Sequence, residues 1–311
     1  MAQAAVERTH NQAGEGIVFS SLQSLLRLQG QVRTLHLAKK HIRSRHAGLH
    51  RSVHKGRGMD FAESRMYQPG DDIRTIDWRV TARSGRVHTK VFEEEREKPV
   101  LLWVDLRPSM FFATRGRFKS VLAAQIAALL LWKTLDDGDR IGGILQNGQH
   151  AEFKPSRSRS AALHLLRQLS DMTRASATLS RSDLQASWTR LRRVTQPGSQ
   201  LFILSDFRQV TPGALRQLAM IAQHSQLTLI SIHDPFEEHL PKTGSLRLTD
   251  GKRHVLLNLG LRLWRERYLN RVAQSAKILQ EFSRSQRIPL VQLSTADSDN
   301  ERLLKVSRGL R

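Results

Sequence analysis

From residue 99 onward, apolar runs of strand length alternate with stretches of helical period. VLLWVDL (100–106), LFILSDF (201–207) and LTLISI (227–232) are almost uninterrupted apolar runs, the pattern of strands buried on both faces. Residues 118–135 form an apolar helix closed by the turn DDGD, while 158–172, 183–194 and 212–223 carry amphipathic helical spacing. A further strand is expected over 140–146, with Asn147-Gly148 turning a hairpin into 151–153. The remainder predicts a hairpin over 246–258 across Asp250-Gly251, a long helix over 261–285 and a last strand, IPLVQL. Strands and helices in this alternation predict an α/β fold, a mostly parallel sheet with helices on both faces.

The chain before residue 99 reads differently. Residues before about Ser20 are polar and without period, which predicts a frayed segment. Leu22, Leu25, Leu26, Val32 and Leu35 approximate helical spacing, weakened by Gly30, and predict a helix that packs on the main domain or forms an arm. His36, His41, His46, His50 and His54 follow at irregular spacing without nearby carboxylates, which reads as a basic linker rather than a metal site. The segment 56–98 is the densest in turn signals, charge and aromatic residues. Pro69-Gly70 makes a turn, Asp71 or Asp72 caps a short helix through Trp78, and Ser84-Gly85 turns into a strand marked by Val87, Thr89 and Val91. Arg65, Arg74, Arg79, Arg83 and Arg86 interleave with Asp71, Asp72 and Asp77, predicting a guanidinium–carboxylate network resting on Phe61, Tyr67, Ile73, Ile76 and Trp78, with a solvated charged loop as the alternative. Three segments are therefore expected: 1–55, an arm, helix and basic linker; 56–98, an Arg/Asp-rich module containing β structure; and 99–311, the α/β domain.

Composition narrows the function classes. The formal net charge of +22 directs the chain toward anionic partners: acidic proteins, nucleic acid or an anionic lipid surface. Aromatic residues are only 6%, too sparse for a base-stacking platform. Cysteine is absent, which excludes disulfides, thiolate metal sites and a cysteine nucleophile. The first residues lack the basic-then-apolar order of a signal peptide, and the longest apolar run, 121–132, falls short of the ~20 residues a membrane span needs. A cytoplasmic protein is expected. The chain carries no P-loop, no GxGxxG after a strand, no HExxH and no GxSxG.

GRGMDF, YQPGDDIRTIDW, TARSGRVHTKVFEEER and VDLRPSM resemble the bacterial domain-of-unknown-function family fifty-eight, from about Ser20 to the C-terminus. That family is similar to von Willebrand factor A domains and is associated with MoxR-type AAA+ ATPases. The resemblance implies a von Willebrand A-like, Rossmann-like domain. In such domains a divalent ion is held by Asp-x-Ser-x-Ser on the first loop, with a threonine and an aspartate from later loops. By resemblance Asp105 and Ser109 match that motif and Asp206 the later aspartate, a hard oxygen set suited to magnesium. The threonine's place falls in ASATLSRSD, with Thr178, Ser180 and Ser182 all open. Arg107 stands where the motif wants its first serine, and its fixed charge repels a cation. Three readings follow: a magnesium site, a site in which Arg107 supplies the positive charge and bridges Asp105 and Asp206, or a polar loop with no special role.

The expected function is a non-enzymatic adaptor working with a MoxR-type AAA+ ATPase in remodelling or maturing another protein, the client left open. Candidate interaction residues are Arg65, Tyr67, Asp71, Asp72, Arg74, Asp77, Trp78 and Arg83. The rivals are a basic nucleic-acid or anionic-membrane-surface binder and a metal-dependent hydrolase centred on Asp105 and Asp206.

Overall fold

In the computed structural model, residues 14–34, 59–94, 98–147, 149–174, 184–208, 210–249 and 254–310 are described. They fall into two units, one containing 14–34 and 98–310, the other 59–94. The expected histidine linker, the loop holding Thr178, Ser180 and Ser182, and the Asp250-Gly251 turn lie outside the described residues.

The N-terminal segment belongs to the larger unit. Helix α1 (Leu22–Arg27) is capped by the Ser21 side chain, which accepts from the Ser24 N–H at 3.1 Å, and continues as a 3-10 turn, Leu28–Thr34. A 3-10 turn replaces the second half of the expected helix, at Gly30. Residues 14–19, expected to fray, form a tight turn in which Glu15 bridges Phe19. Leu25 and Val32 enter the main core, and the Trp132 indole N–H donates to the Leu25 carbonyl at 3.1 Å. Burying leucines of this kind contributes roughly 1.5–3 kcal/mol each.

In the smaller unit, β1 (Met59–Met66) pairs antiparallel with β2 (His88–Glu94), with a register shift between Phe61 and Glu63. The sequence pattern signals β2 but not β1, whose residues DFAESR carry no clean alternation. Between them, Asp72 caps a short 3-10 turn, Ile73–Thr75, and Asp77 caps α2 (Trp78–Ser84). The single short helix expected through Trp78 is thus two elements. The chain extends at Ile76, which bridges Thr89 on β2, and a helix cannot pass through an extended residue.

The main sheet contains β3 (Pro99–Asp105), β4 (Arg140–Asn147), β5 (Gln149–Ser156), β6 (Gln200–Ser205), β7 (Gln226–His233) and, after a separate hairpin of β8 (Ser245–Thr249) and β9 (His254–Asn258), β10 (Leu290–Ser294). Its order is β10-β7-β6-β3-β4-β5, parallel throughout except for β5 at one edge. Counted within the sheet, this is the doubly wound order in which successive strands run first to one side of β3 and then to the other. It is the mostly parallel α/β sheet with helices on both faces expected from the sequence.

Six helices follow within this unit: α3 (Lys119–Asp136), α4 (Arg159–Arg174), α5 (Leu184–Val194), α6 (Pro212–Ala222), the single turn α7 (Pro235–Glu238) and α8 (Arg262–Gln286), with α9 (Asp299–Gly309) after β10. Helix α3 is buried along nearly its whole length, which explains its unbroken apolar sequence. Leu102, Val104, α3 and α4 share one core; Leu101, Trp103, Ile203 and α5 share another, as alternation along a strand requires. Trp103 stacks on Trp188 at 4.3 Å and donates its indole N–H to Ser187 at 3.0 Å.

Candidate functional site

The switch point lies between β3 and β6, the neighbouring strands from which the chain departs to opposite sides, and ligands in open α/β sheets bind beyond the carboxyl ends there. Asp105 ends β3 and Ser205 ends β6, and both are buried. The Ser205 hydroxyl donates to Asp105 Oδ2 at 2.6 Å and accepts from the Phe207 N–H at 3.1 Å. Phe207 sits at φ 49°, a left-handed conformation that a bulky side chain adopts only under constraint. Its ring is buried in the core beside α6, so packing holds the backbone that presents Asp206.

Arg107 folds back on Asp105. Its Nε lies 2.8 Å from Oδ1 and its Nη2 2.6 Å from Oδ2, a two-pronged charge-assisted pair, and Nη2 also lies 4.0 Å from Asp206 Oδ1. Burial opposes the charged guanidinium, but Asp105 and then Asp206 outweigh it and hold Arg107 above the ordinary arginine range.

Lys119, the first residue of α3, is fully buried. A lysine there meets the positive end of the helix dipole and also loses its water, two effects that disfavour its charge. Two carboxylates offset them: Nζ lies 3.1 Å from Asp206 Oδ2 and 2.6 Å from Glu237 Oε1. Glu237 belongs to α7, the turn after β7. Arg208 completes the cluster, with Nη2 2.9 Å from Glu237 Oε1 and donating to the Tyr268 hydroxyl of α8 at 2.7 Å. Burial would raise the Asp206 carboxyl, yet Lys119, Arg208 and Arg107 hold it below the usual carboxylate range. Three carboxylates and three cations are thus interleaved in one buried cluster.

A fourth buried carboxylate fixes the surroundings. Asp234, after β7, accepts from the Thr114 N–H at 2.8 Å, the Thr114 and Thr295 hydroxyls at 2.6 Å each, and the Phe236 N–H at 2.9 Å. Burial would raise this carboxyl, but these bonds keep it low. Gly116 permits the approach: at φ +73°, a Cβ there would stand 2.1 Å from the Thr295 carbonyl oxygen.

The donor set does not fit a magnesium ion. Both Asp105 oxygens already accept from Arg107, Asp206 Oδ2 accepts from Lys119, and two fixed cations occupy the space where a cation would be drawn. Magnesium demands near-octahedral oxygen at ~2.1 Å, with lone pairs to spare. Ser109 lies half-buried in the 3-10 turn Pro108–Met110, and among the described residues no hydrogen bond joins it to Asp105 or Asp206. Of the three residues matched to the metal motif, the structure brings Asp105 and Asp206 together, through Arg107 rather than through an ion.

The sequence pattern does not identify Lys119, Arg208 or Tyr268 as members of this site, and it reads Asp234 and Glu237 either as part of the same rim or as loop chemistry ending a strand; the structure places Glu237 in the cluster. Lys119 reads as the flank of an apolar helix. The available signal was electrostatic: a lysine at the start of a helix runs against the dipole and asks for a carboxylate partner.

The smaller unit resolves the expected Arg/Asp network differently. Arg65 pairs with Asp71 at 2.7 Å. Asp72 accepts from the Arg74 N–H at 3.0 Å, and Asp77 accepts from the Arg79 and Val80 N–H groups at 3.2 Å each and from Ser64 at 3.3 Å. These two aspartates cap helices through backbone amides. Among the described residues Arg74, Arg79, Arg83 and Arg86 form no ion pair, because they are exposed and water solvates them more cheaply than a fixed partner would. Tyr67 is half-buried and bonds through its backbone to Val87. Trp78 is 69% exposed and Ile73 67%, so neither is the hydrophobic floor the sequence pattern suggests.

The family described as "Protein of unknown function DUF58" matches residues 63–278. Relatives in Mycobacterium tuberculosis and Mycobacterium bovis, each called an uncharacterized protein, are 33% identical over 232 residues, covering 74% of this chain and 73% of theirs. Among solved structures the chain is similar to the conserved hypothetical protein BatB from Bacteroides thetaiotaomicron, at 14% identity and TM-score 0.44 over 68% of this chain and 97% of that one. It is also similar to a von Willebrand factor type A structure from Catenulispora acidiphila, at 11% identity and TM-score 0.35 over 71% and 44%.

Proposed function

This chain belongs to the DUF58 family, and from that premise we propose that it is a non-enzymatic interaction protein whose partner is a MoxR-type AAA+ ATPase. The observation that carries this reading is the charge-balanced cluster at the switch point. Catalysis or metal-mediated contact at that crevice requires a carboxylate with free lone pairs or a group able to exchange a proton. Asp105, Asp206 and Glu237 are instead neutralised by Arg107, Lys119 and Arg208, all held by the fold. The crevice is a rigid strut. ATP hydrolysis belongs to the partner, in keeping with the missing P-loop.

Docking falls to the smaller unit. Trp78 and Ile73 are exposed side chains of the type that anchors interfaces, and Arg74, Arg79, Arg83 and Arg86, close to them in sequence and exposed, form no ion pair among the described residues. Such a face suits an acidic protein surface. The test is capture of a purified MoxR-type ATPase by the tagged chain at moderate salt, repeated with Trp78→Ala and Arg83→Glu. Retention by the parent and loss in both variants is expected. An ATPase that is not retained, or that both variants hold as well as the parent, would sink this reading.

A further inference from the structure

We propose that the start of helix α8, together with strand β9, forms a patch that docks on an anionic lipid bilayer surface. Three leucines stand in water there: Leu256 is 67% exposed, Leu261 59% and Leu263 72%. Scattered single leucines on a surface are ordinary, but Leu261 and Leu263 flank one turn, and Trp264 beside them is also exposed. The fully buried residues of α8, Leu279 and Ser283, lie toward its far end, so its first turn leaves apolar side chains exposed.

The turn is held in place. Arg265 donates to the Lys242 and Leu259 carbonyls at 2.9 Å each, tying the helix to the hairpin strand that carries Leu256. Trp264 stacks on Tyr268 with ring centres 5.6 Å apart, and Tyr268 is fixed in turn by Arg208. The leucines are therefore presented with little ordering cost on contact.

The occupant follows from charge and chemistry. Residues 261–271, LRLWRERYLNR, contain four arginines and one glutamate, in a chain of net charge +22. Leucine and arginine are interleaved here, so apolar side chains and guanidinium groups stand within the first turns of α8. An anionic bilayer offers that arrangement, with phosphates in the plane of the arginines and acyl chains just below for leucine and tryptophan. Nucleic acid offers phosphates but nothing for the leucines, which can neither stack on bases nor read their edges. Among the described residues no helix is long and apolar enough to cross a membrane, so the contact is with the surface.

The test is co-sedimentation of the full chain with phosphatidylcholine vesicles, with and without phosphatidylglycerol, at moderate salt. Binding only to the anionic vesicles is expected. The double change Leu261→Ser/Leu263→Ser should weaken it by about tenfold or more, and Arg267→Glu by about fivefold, with thermal melting unchanged in both. A double variant that sediments like the parent would overturn the proposal by assigning the attraction to overall charge. So would a parent that ignores anionic vesicles, or one that holds duplex DNA more tightly than vesicles at the same salt. The adaptor reading is judged separately, by ATPase capture.

Discussion

The switch-point cluster and the signature module are built from the same residue types, arginine and aspartate, and use them in opposite ways. At the switch point every named charge has an opposite partner, because a buried ion left alone costs several kcal/mol. In the module one arginine is paired with an aspartate and the other aspartates cap helices, while four arginines stay in solvent. Burial, not composition, decides whether a guanidinium becomes a structural strut or a surface available to a partner. A charged residue on the outside can change without the fold registering it; one on the inside cannot.

The strongest way to break that contrast is to remove a buried cation. Lys119→Met should cost ~3–5 kcal/mol, since it strands Asp206 and Glu237 with fewer counter-charges, and urea denaturation would measure it. A loss under ~1 kcal/mol would mean that water or the two arginines already satisfy those carboxylates. Next is Arg107→Ser, which restores the serine of the cation motif and removes a positive charge from Asp105. Magnesium should then raise the melting temperature of the variant and leave the parent unmoved. A variant indifferent to magnesium would show that the guanidinium does not stand in a cation's place.

Acid sharpens the comparison further. Asp206 and Asp234 have carboxyls held below their unfolded range, so the stability they contribute is present above pH ~4. It is lost as pH falls through their folded values. Asp234→Asn should make the melting temperature less steeply dependent on pH below ~4, read by calorimetry across that range. A parallel acid limb would place the titration elsewhere. The smallest effects belong to the module. Asp77→Ala removes a helix cap and should cost ~1 kcal/mol, whereas Arg83→Glu should stay within ~0.5 kcal/mol by thermal melting. Equal losses in the two would mean that the arginine shares in a fixed network after all.

Much of the fold was legible in the sequence. The three strands 100–106, 201–207 and 227–232 declare themselves because both of their faces are buried, so polar residues within them are few. Asp105 and Asp206 were legible as strand-end carboxylates for the same reason. Lys119 was not, because it and Glu237 lie 118 residues apart and meet only when α3 and α7 converge on one rim. Strand β1 was hidden by its polar sequence, and the exposure of Trp78 by its hydrophobicity, which reads as core in one dimension.

The docking of the N-terminal segment has a consequence for the order of events during synthesis. Ser20 is held by Thr173 and Ser170, partners 153 and 150 positions later, and Leu25 by the helix carrying Trp132. At roughly 5–20 residues per second, a ribosome delivers those partners on the order of ten seconds after Ser20 emerges. Until α3 is made Leu25 and Val32 lack the core they enter, and the signature module is made in the interval. The larger unit therefore cannot close until more than half of the chain exists.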